Sequence, residues 1–132
     1  MADVRFLTLG SQSSRARYAS DVAIAGDWAF ASSIPVDVND DRVPVPDGLE
    51  NQMAKLFANL DTMLAAATLA KTDIVRVHVS LVDFERFFER MNVVYERYFG
   101  SHKPVRTCCG VSALTRGVLI EMSFVLHQSS TT

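Results

Sequence analysis

Residues 75–100 read VRVHVSLVDFERFFERMNVVYERYFG, and this stretch decides the fold class. Its first part alternates apolar and polar residues, which is typical of a strand with one buried face. Its second part spaces large apolar side chains by three and four positions, which is typical of an amphipathic helix. Asp83 is the predicted N-cap of that helix and Gly100 its predicted end. The apolar positions are Val75, Val77, Val79 and Leu81 in the strand and Phe84, Phe87, Phe88, Met91, Tyr95 and Tyr98 in the helix.

A second helix is predicted upstream, where apolar residues recur at helical spacing over residues 49–64. Asp47 and Glu50 have the spacing of a capping box at its start. Other segments have strand character, and a turn at Gly26 and Asp27 predicts that two of them form a hairpin. These segments are Arg5–Leu9, Val22–Ala25, Trp28–Ser32, Thr107–Ser112 and Val118–His127.

The predicted element order is β-β-β-α-β-α-β-β, in one domain over residues 1–132. We therefore expect an α+β fold in which two helices cover one face of a mixed sheet. Leu119 and Val125 share a face of the last strand with Glu121, and both are too apolar to be left in water. The two helices cannot cover that face as well. Its simplest cover is another copy of the chain, so we expect an oligomer.

Composition argues against several classes of protein. The 132 residues are 48% hydrophobic and 21% charged, as in an ordinary globular domain. The net charge of -2 disfavours binding to nucleic acid, and no apolar run approaches the roughly 20 residues that cross a bilayer. Residues 1–5 do not resemble the start of a secretory signal, and Cys108 and Cys109 are the only cysteines. We therefore expect a reducing, cytoplasmic location without membrane contact.

Two charged residues stand out by their positions. Glu121 interrupts an apolar strand, where a carboxylate needs a partner or a water-filled cleft. Arg106 is expected where a strand opens, and a guanidinium binds a planar carboxylate through two parallel hydrogen bonds. Periodicity leaves two interpretations open: these residues pair with each other, or they face a ligand. We expect no metal, because the three histidines (His78, His102 and His127) are scattered and lack ligand spacing.

The run Pro104-Val105-Arg106-Thr107-Cys108, with Glu121 fifteen positions after the arginine, resembles the Rid family (reactive intermediate deaminase, also called YjgF). The resemblance covers nearly the whole chain. Its other matching segments are Tyr18, Phe30–Pro35, Glu50-Asn51-Gln52, Asn59-Leu60, Asn92-x-x-Tyr95 and Tyr98-Phe99.

The resemblance implies a chorismate-mutase-like fold assembled as a homotrimer, with the sheets packed inward and a site in each cleft between subunits. It implies hydrolysis of enamine and imine intermediates, such as 2-aminoacrylate, to a 2-keto acid and ammonia without metal or cofactor. By the same resemblance, Arg106 holds the substrate carboxylate and Glu121 places or activates the attacking water. Tyr18, donated by a neighbouring subunit, lines the cleft near the imine. The other substrate-binding positions that it implies are Phe30, Ser32, Ser33, Asn92 and Cys108. For Asn92, a role as an ordinary helix residue stays open.

The sequence also departs from the family pattern. Ser32 and Ser33 stand where the family has Gly-Gln, and Ala16-Arg17 where it has Gly-Pro. A side chain in place of that glycine narrows the pocket or adds a hydroxyl contact. Two alternatives therefore stay open: a deaminase specific for a different imine, and a trimer that binds small carboxylates without turnover. An endoribonuclease or translation inhibitor is disfavoured by the acidic pI of 5.9.

Overall fold

The computed structural model describes residues 3–10 and 14–128. Met1 and Ala2, the first residues of the segment inspected for a secretory signal, lie outside this range. The described residues form one six-stranded mixed sheet in the order β1-β2-β3-β6-β4-β5, with two helices packed on it. The elements are β1 (Val4–Leu7), β2 (Val22–Ala25), β3 (Trp28–Ser33), α1 (Leu49–Ala66), β4 (Ile74–Val82), α2 (Phe84–Phe99), β5 (Val105–Val111) and β6 (Ile120–His127).

The predicted chorismate-mutase-like α+β class and the predicted element order are both confirmed. Every strand pair is antiparallel except β4 with β5, which run parallel. Parallel neighbours need a crossover connection, and α2 provides it. This crossover leaves β5 at the edge of the sheet with α2 beside it. Within the described residues, neither helix is long and apolar enough to span a membrane.

One face of the sheet, which we call the helix face, carries the hydrophobic core. Alternate residues of β4 and β6 are buried there against both helices, as the two-residue period predicts. Val75 is the exception, since 40% of it is exposed. The pairing of β4 with β6 shifts between Ile74 and Arg76, so Ile74 takes the buried position instead.

The predicted capping box at the start of α1 is wrong. The helix begins after Gly48, which is the N-cap residue and has a φ of 84°. No side chain forms a capping hydrogen bond there. Asp47 contributes its carbonyl oxygen instead, which accepts a 2.9 Å hydrogen bond from Asn51 Nδ2. Glu50 turns outward and accepts two hydrogen bonds from Arg90 of α2, at 2.7 and 2.9 Å. The carboxylate thus joins the two helices.

The ends of α2 are where the sequence places them. Asp83 is the N-cap residue, although its left-handed backbone leaves its side chain without a capping hydrogen bond. Gly100 ends the helix with a φ of 61°, a conformation that glycine adopts without strain. Gly110 of β5 has a different role, because a Cβ there would lie 3.0 Å from the Cβ of Phe84. The glycine therefore lets α2 start close to β5.

The other face of the sheet, which we call the open face, has no helix over it. One row of paired residues crosses it from edge to edge: Phe6, Ala23, Phe30, Val125, Arg76 and Val105. Phe6 is 65% exposed and Phe30 is 47% exposed. The predicted uncovered face is therefore present, but Leu119 precedes β6 and packs against the core, so its predicted place on this face is wrong.

Candidate functional site

Arg106 lies inside β5, which begins at Val105 rather than at the predicted Thr107. Its pairing with the buried Val77 places its side chain on the helix face. The guanidinium carbon lies 4.7 Å from the ring centroid of Tyr95 and 5.9 Å from that of Phe88. Arg106 forms no ion pair with any residue in 3–10 or 14–128. A half-buried guanidinium is thus held by aromatic rings and lacks a counterion.

A cavity of about 390 Å³, which we call the arginine cavity, opens beside this guanidinium. Asn92 and Tyr95 of α2 line it together with His102 and Lys103. Asn92 Oδ1 and the Tyr95 hydroxyl are buried and have no hydrogen-bond partner among the described residues. Burial raises the pKa of Tyr95, although the charge of Arg106 opposes the rise, so the hydroxyl is a donor at neutral pH. The cavity therefore offers unused donors and an unused acceptor to a ligand.

Cys108 lies two residues after Arg106 on the same face of β5 and packs against the core. Burial raises the pKa of its thiol, and the nearby Arg106 charge only partly offsets this. Both it and the exposed Cys109 are free cysteines. Since a thiolate is the reactive form, the structure favours an apolar packing role for Cys108.

Glu121 lies on the open face, where it pairs with Ser80. Its carboxylate lines a cavity of about 170 Å³ together with Arg15, Ser32 and Thr115. Desolvation by burial lowers the pKa of Arg15, and the negative charges of Asp41 and Glu121 counteract this. The acid that interrupts the apolar strand therefore reaches a polar cleft with a cation close by.

Tyr18 and Phe30 line a larger cavity of about 590 Å³ on the same face. The two open-face cavities share Ser32 in their linings, and we call them together the glutamate cleft. Tyr18 is 81% exposed and follows the 3₁₀ turn Ser14–Arg17. This turn is anchored by an ion pair between Arg15 and the buried Asp21. The chain thus brings Tyr18, Phe30, Ser32 and Glu121 together.

Ser33 does not join this group. Its side chain is on the helix face, the residue is 1% exposed, and its hydroxyl donates a 2.8 Å hydrogen bond to the carbonyl oxygen of Leu56. Neighbouring residues of a strand point to opposite faces, so Ser32 reaches the cleft and Ser33 the core. The expectation that Ser33 binds substrate through its side chain is therefore wrong.

Arg106 and Glu121 do not meet within one chain. Their partners on β4, Val77 and Ser80, are three positions apart, and an odd step along a strand places two side chains on opposite faces. Two strand spacings across the sheet and three residues along it also separate them, about 10 Å in each direction. The interpretation that Arg106 and Glu121 pair with each other inside the chain is excluded.

Sequence reasoning names Gln52 and Asn59 only within matching segments and misses that they support the glutamate cleft. Asn59 Nδ2 donates to the carbonyl oxygens of Ile34 and Val36 at 3.0 and 2.9 Å. Gln52 binds Leu119 through its side-chain oxygen, which accepts from the Leu119 N–H at 2.7 Å. Both polar residues are buried in α1 at positions where the helical period expects apolar side chains. That conflict is the sequence signal for such a role.

The described part of the chain has no group of three or more histidine, cysteine, aspartate or glutamate side chains arranged to hold a metal. The fold and its cavities define an α+β protein with the arginine cavity on one face of its sheet and the glutamate cleft on the other. Residues 10–128 match the family model described as Endoribonuclease L-PSP. The chain belongs to this family, which is the Rid or YjgF family that its motifs resemble.

Three relatives illustrate the match. The 2-iminobutanoate/2-iminopropanoate deaminase of Bos taurus is 32% identical over 88 residues, which are 67% of this chain and 64% of the relative. The mitochondrial protein MMF1 of Saccharomyces cerevisiae is 35% identical over 101 residues, 76% of this chain and 68% of the relative. The crystal structure of yeast Mmf1 has a TM-score of 0.84 at 27% identity and covers 96% of this chain and 100% of that one. The structure of E. coli TdcF with bound serine has a TM-score of 0.76 at 25% identity, and the match covers 84% of this chain and 88% of the TdcF chain.

Proposed function

We propose that this protein is a hydrolytic deaminase of enamine and imine intermediates that carry a carboxylate, such as 2-aminoacrylate. The observation that carries the proposal is Arg106, half-buried beside a cavity without a counterion among the described residues. A guanidinium in that state binds a planar anion through paired hydrogen bonds. The name of the bovine relative, which is an imine deaminase, supports this substrate class.

The proposed reaction needs few protein groups. Arg106 holds the substrate carboxylate and thereby fixes the imine carbon. An imine protonated on nitrogen is already electrophilic, so an aimed water suffices to attack it. Glu121 orients this water and accepts its proton as the new C–O bond forms. Glu121 then returns its proton to the nitrogen of the resulting carbinolamine. The C–N bond breaks as the hydroxyl oxygen forms the C=O bond and releases its proton to water, which gives the 2-keto acid and ammonia. Tyr18 lines the cleft on the side of the imine.

The proposed site is shared between copies of the chain. Arg106 faces the helices and Glu121 faces the open side of the same sheet, so one chain cannot present both to one substrate. A neighbouring copy that covers the open face brings its own Arg106 toward Glu121. In the homotrimer that we propose, the sheets pack inward and three such clefts form. The exposed aromatic residues of the open face support this arrangement.

Ser32 supports two alternatives to this proposed activity. Its side chain lines both cavities of the glutamate cleft and takes up space beside Glu121. This favours either a different imine as the substrate or a trimer that binds small carboxylates without turnover. The TdcF structure with bound serine shows that a related protein binds a small amino acid. The proposed partner is in every case a small carboxylate and neither nucleic acid nor a membrane.

We also propose a cytoplasmic location, in keeping with two free cysteines. The name of the yeast relative MMF1 assigns that protein to mitochondria.

A coupled assay tests the activity. An amino-acid oxidase generates 2-iminopropionate and 2-iminobutyrate, and their loss is followed with and without the protein. We expect faster loss with the parent chain and at least a tenfold lower kcat/KM for Arg106→Ala. Arg97→Ala, an exposed arginine at the end of α2, is the matched control and should behave as the parent. A parent chain that gives only the background rate would favour the binding protein instead.

A further inference from the structure

We infer that Tyr95 is a second ligand-binding residue of the arginine cavity, in which its ring holds the Arg106 guanidinium and its hydroxyl donates to the same carboxylate. This inference rests on the proposed function, because it requires that Arg106 binds a carboxylate. It adds a residue whose two parts have separate roles.

The ring of Tyr95 is a rigid platform. It lies 4.6 Å from the ring of Phe99, which is buried in the core, and 4.7 Å from the guanidinium carbon of Arg106. A guanidinium over an aromatic face is attracted by the π electrons. This contact thus holds the Arg106 guanidinium beside the cavity.

The hydroxyl of Tyr95 is a donor that needs an acceptor. It is buried and has no hydrogen-bond partner among the described residues, and Tyr95 lines the cavity together with Arg106. A buried hydroxyl without a partner is costly, so a ligand oxygen at this point would be bound favourably. A carboxylate has about four acceptor positions on two oxygens, and a paired contact with arginine uses two of them. One carboxylate can therefore serve both residues.

The alternative to this inference is that the Tyr95 hydroxyl has a structural role and donates a hydrogen bond to Asn92. Residues three positions apart on a helix are neighbours, and Asn92 Oδ1 is also a buried acceptor without a partner. The two groups nevertheless form no hydrogen bond with each other in this structure. If they did so in solution, the Tyr95 hydroxyl would stabilise the fold rather than bind the ligand. The two roles differ in what a missing hydroxyl changes.

The test measures binding of 2-oxobutanoate, the stable keto acid product, to the full chain by calorimetry. Tyr95→Phe keeps the ring and removes the hydroxyl, so we expect about 10- to 100-fold weaker binding with an unchanged unfolding midpoint. Tyr95→Leu removes both parts and should bind more weakly still. In the imine assay, Tyr95→Phe should raise KM and leave kcat unchanged, because the contact exists before and during the reaction.

The matched control is Tyr98→Phe. The Tyr98 hydroxyl donates a 2.5 Å hydrogen bond to Asp61, and its ring stacks on Phe57 away from Arg106. This variant should lose stability and keep its affinity. A Tyr95→Phe variant that behaves in the same way would overturn the inference.

Arg106→Ala separates this inference from the proposed function. If Arg106→Ala loses binding while Tyr95→Phe binds as the parent does, the role of Tyr95 is wrong and the proposed function stands. If Arg106→Ala binds as the parent does, or the parent does not bind, the carboxylate site itself is wrong and the inference is overturned with it.

Discussion

Arg106 and Glu121 lie on opposite faces of one sheet. Arg106 pairs with Val77 and faces the helices, whereas Glu121 pairs with Ser80 and faces the open side. Neither residue has a partner of opposite charge within ion-pair distance among the described residues. If both act on one substrate, two copies of the chain must supply them.

Complementation tests this sharing directly. Arg106→Ala and Glu121→Gln should each be inactive alone. After equal amounts of the two variants are unfolded and refolded together, the mixture should regain about a quarter of the parent activity, because half of the clefts receive an intact arginine and half of those an intact glutamate. Activity is measured with the imine assay and hybrids are counted by native mass spectrometry.

The control for this experiment is the double variant Arg106→Ala/Glu121→Gln refolded with the parent chain. The double variant contributes neither the arginine nor the glutamate, so only clefts between two parent chains should be active. Hybrids of the two single variants that form and stay inactive would show that the cleft is not shared.

The open face should hold the oligomer together. Phe30 lies in β3, one of the two central strands of the sheet, and belongs to the row of residues that crosses this face. Phe30→Asp places a charge among apolar contacts and should give a monomer in size-exclusion chromatography with light scattering. Val93→Asp is the matched control, since Val93 is an exposed apolar residue on α2. A Phe30→Asp variant with the mass of the parent would remove the open face as the interface.

Asn59 should stabilise the fold through the loop beside the glutamate cleft. Asn59→Ala removes two hydrogen bonds and leaves the carbonyl oxygens of Ile34 and Val36 without this donor. We expect a loss of about 2–4 kcal/mol in the free energy of unfolding, measured with urea. Thr62→Ala on the exposed side of α1 should cost less than about 0.5 kcal/mol. Equal effects of the two variants would contradict the role of Asn59.

Acid should weaken the link between the helices. Hydrogen bonds from Arg90 lower the pKa of Glu50 from 4.5 to about 2. The folded state therefore binds its proton at lower pH than the unfolded state does. The stabilisation is complete above about pH 4.5 and is lost as the pH falls toward 2.

This pH dependence is measured as the difference in unfolding free energy between the parent and Glu50→Gln. The difference should be small, because both side chains are about half exposed, and it should shrink between pH 5 and pH 2. In an Arg90→Gln background the same substitution should show no such trend. A difference that grows toward low pH has the wrong sign for this ion pair.

Much of the fold is predictable from local sequence patterns. The two-residue period of β6 and the helical period of α2 give the correct elements, because each period reports which side of one element is apolar. The predictions fail where the position of a residue depends on strand pairing or on the backbone at a helix start. Val75 is exposed because the pairing of β4 shifts, and Asp47 does not cap α1 because Gly48 takes the N-cap position.

The candidate site divides in the same way. The sequence by itself determined the candidate residues: Arg106 and Glu121 as charges at unusual strand positions, and Ser32 as a departure from the family pattern. Only the tertiary structure decided that Ser33 belongs to the core, that Tyr95 holds the guanidinium, and that the arginine and the glutamate face opposite ways. The physical reason is that the direction of a strand side chain follows from pairing with distant strands, and this pairing is set by how the whole core packs.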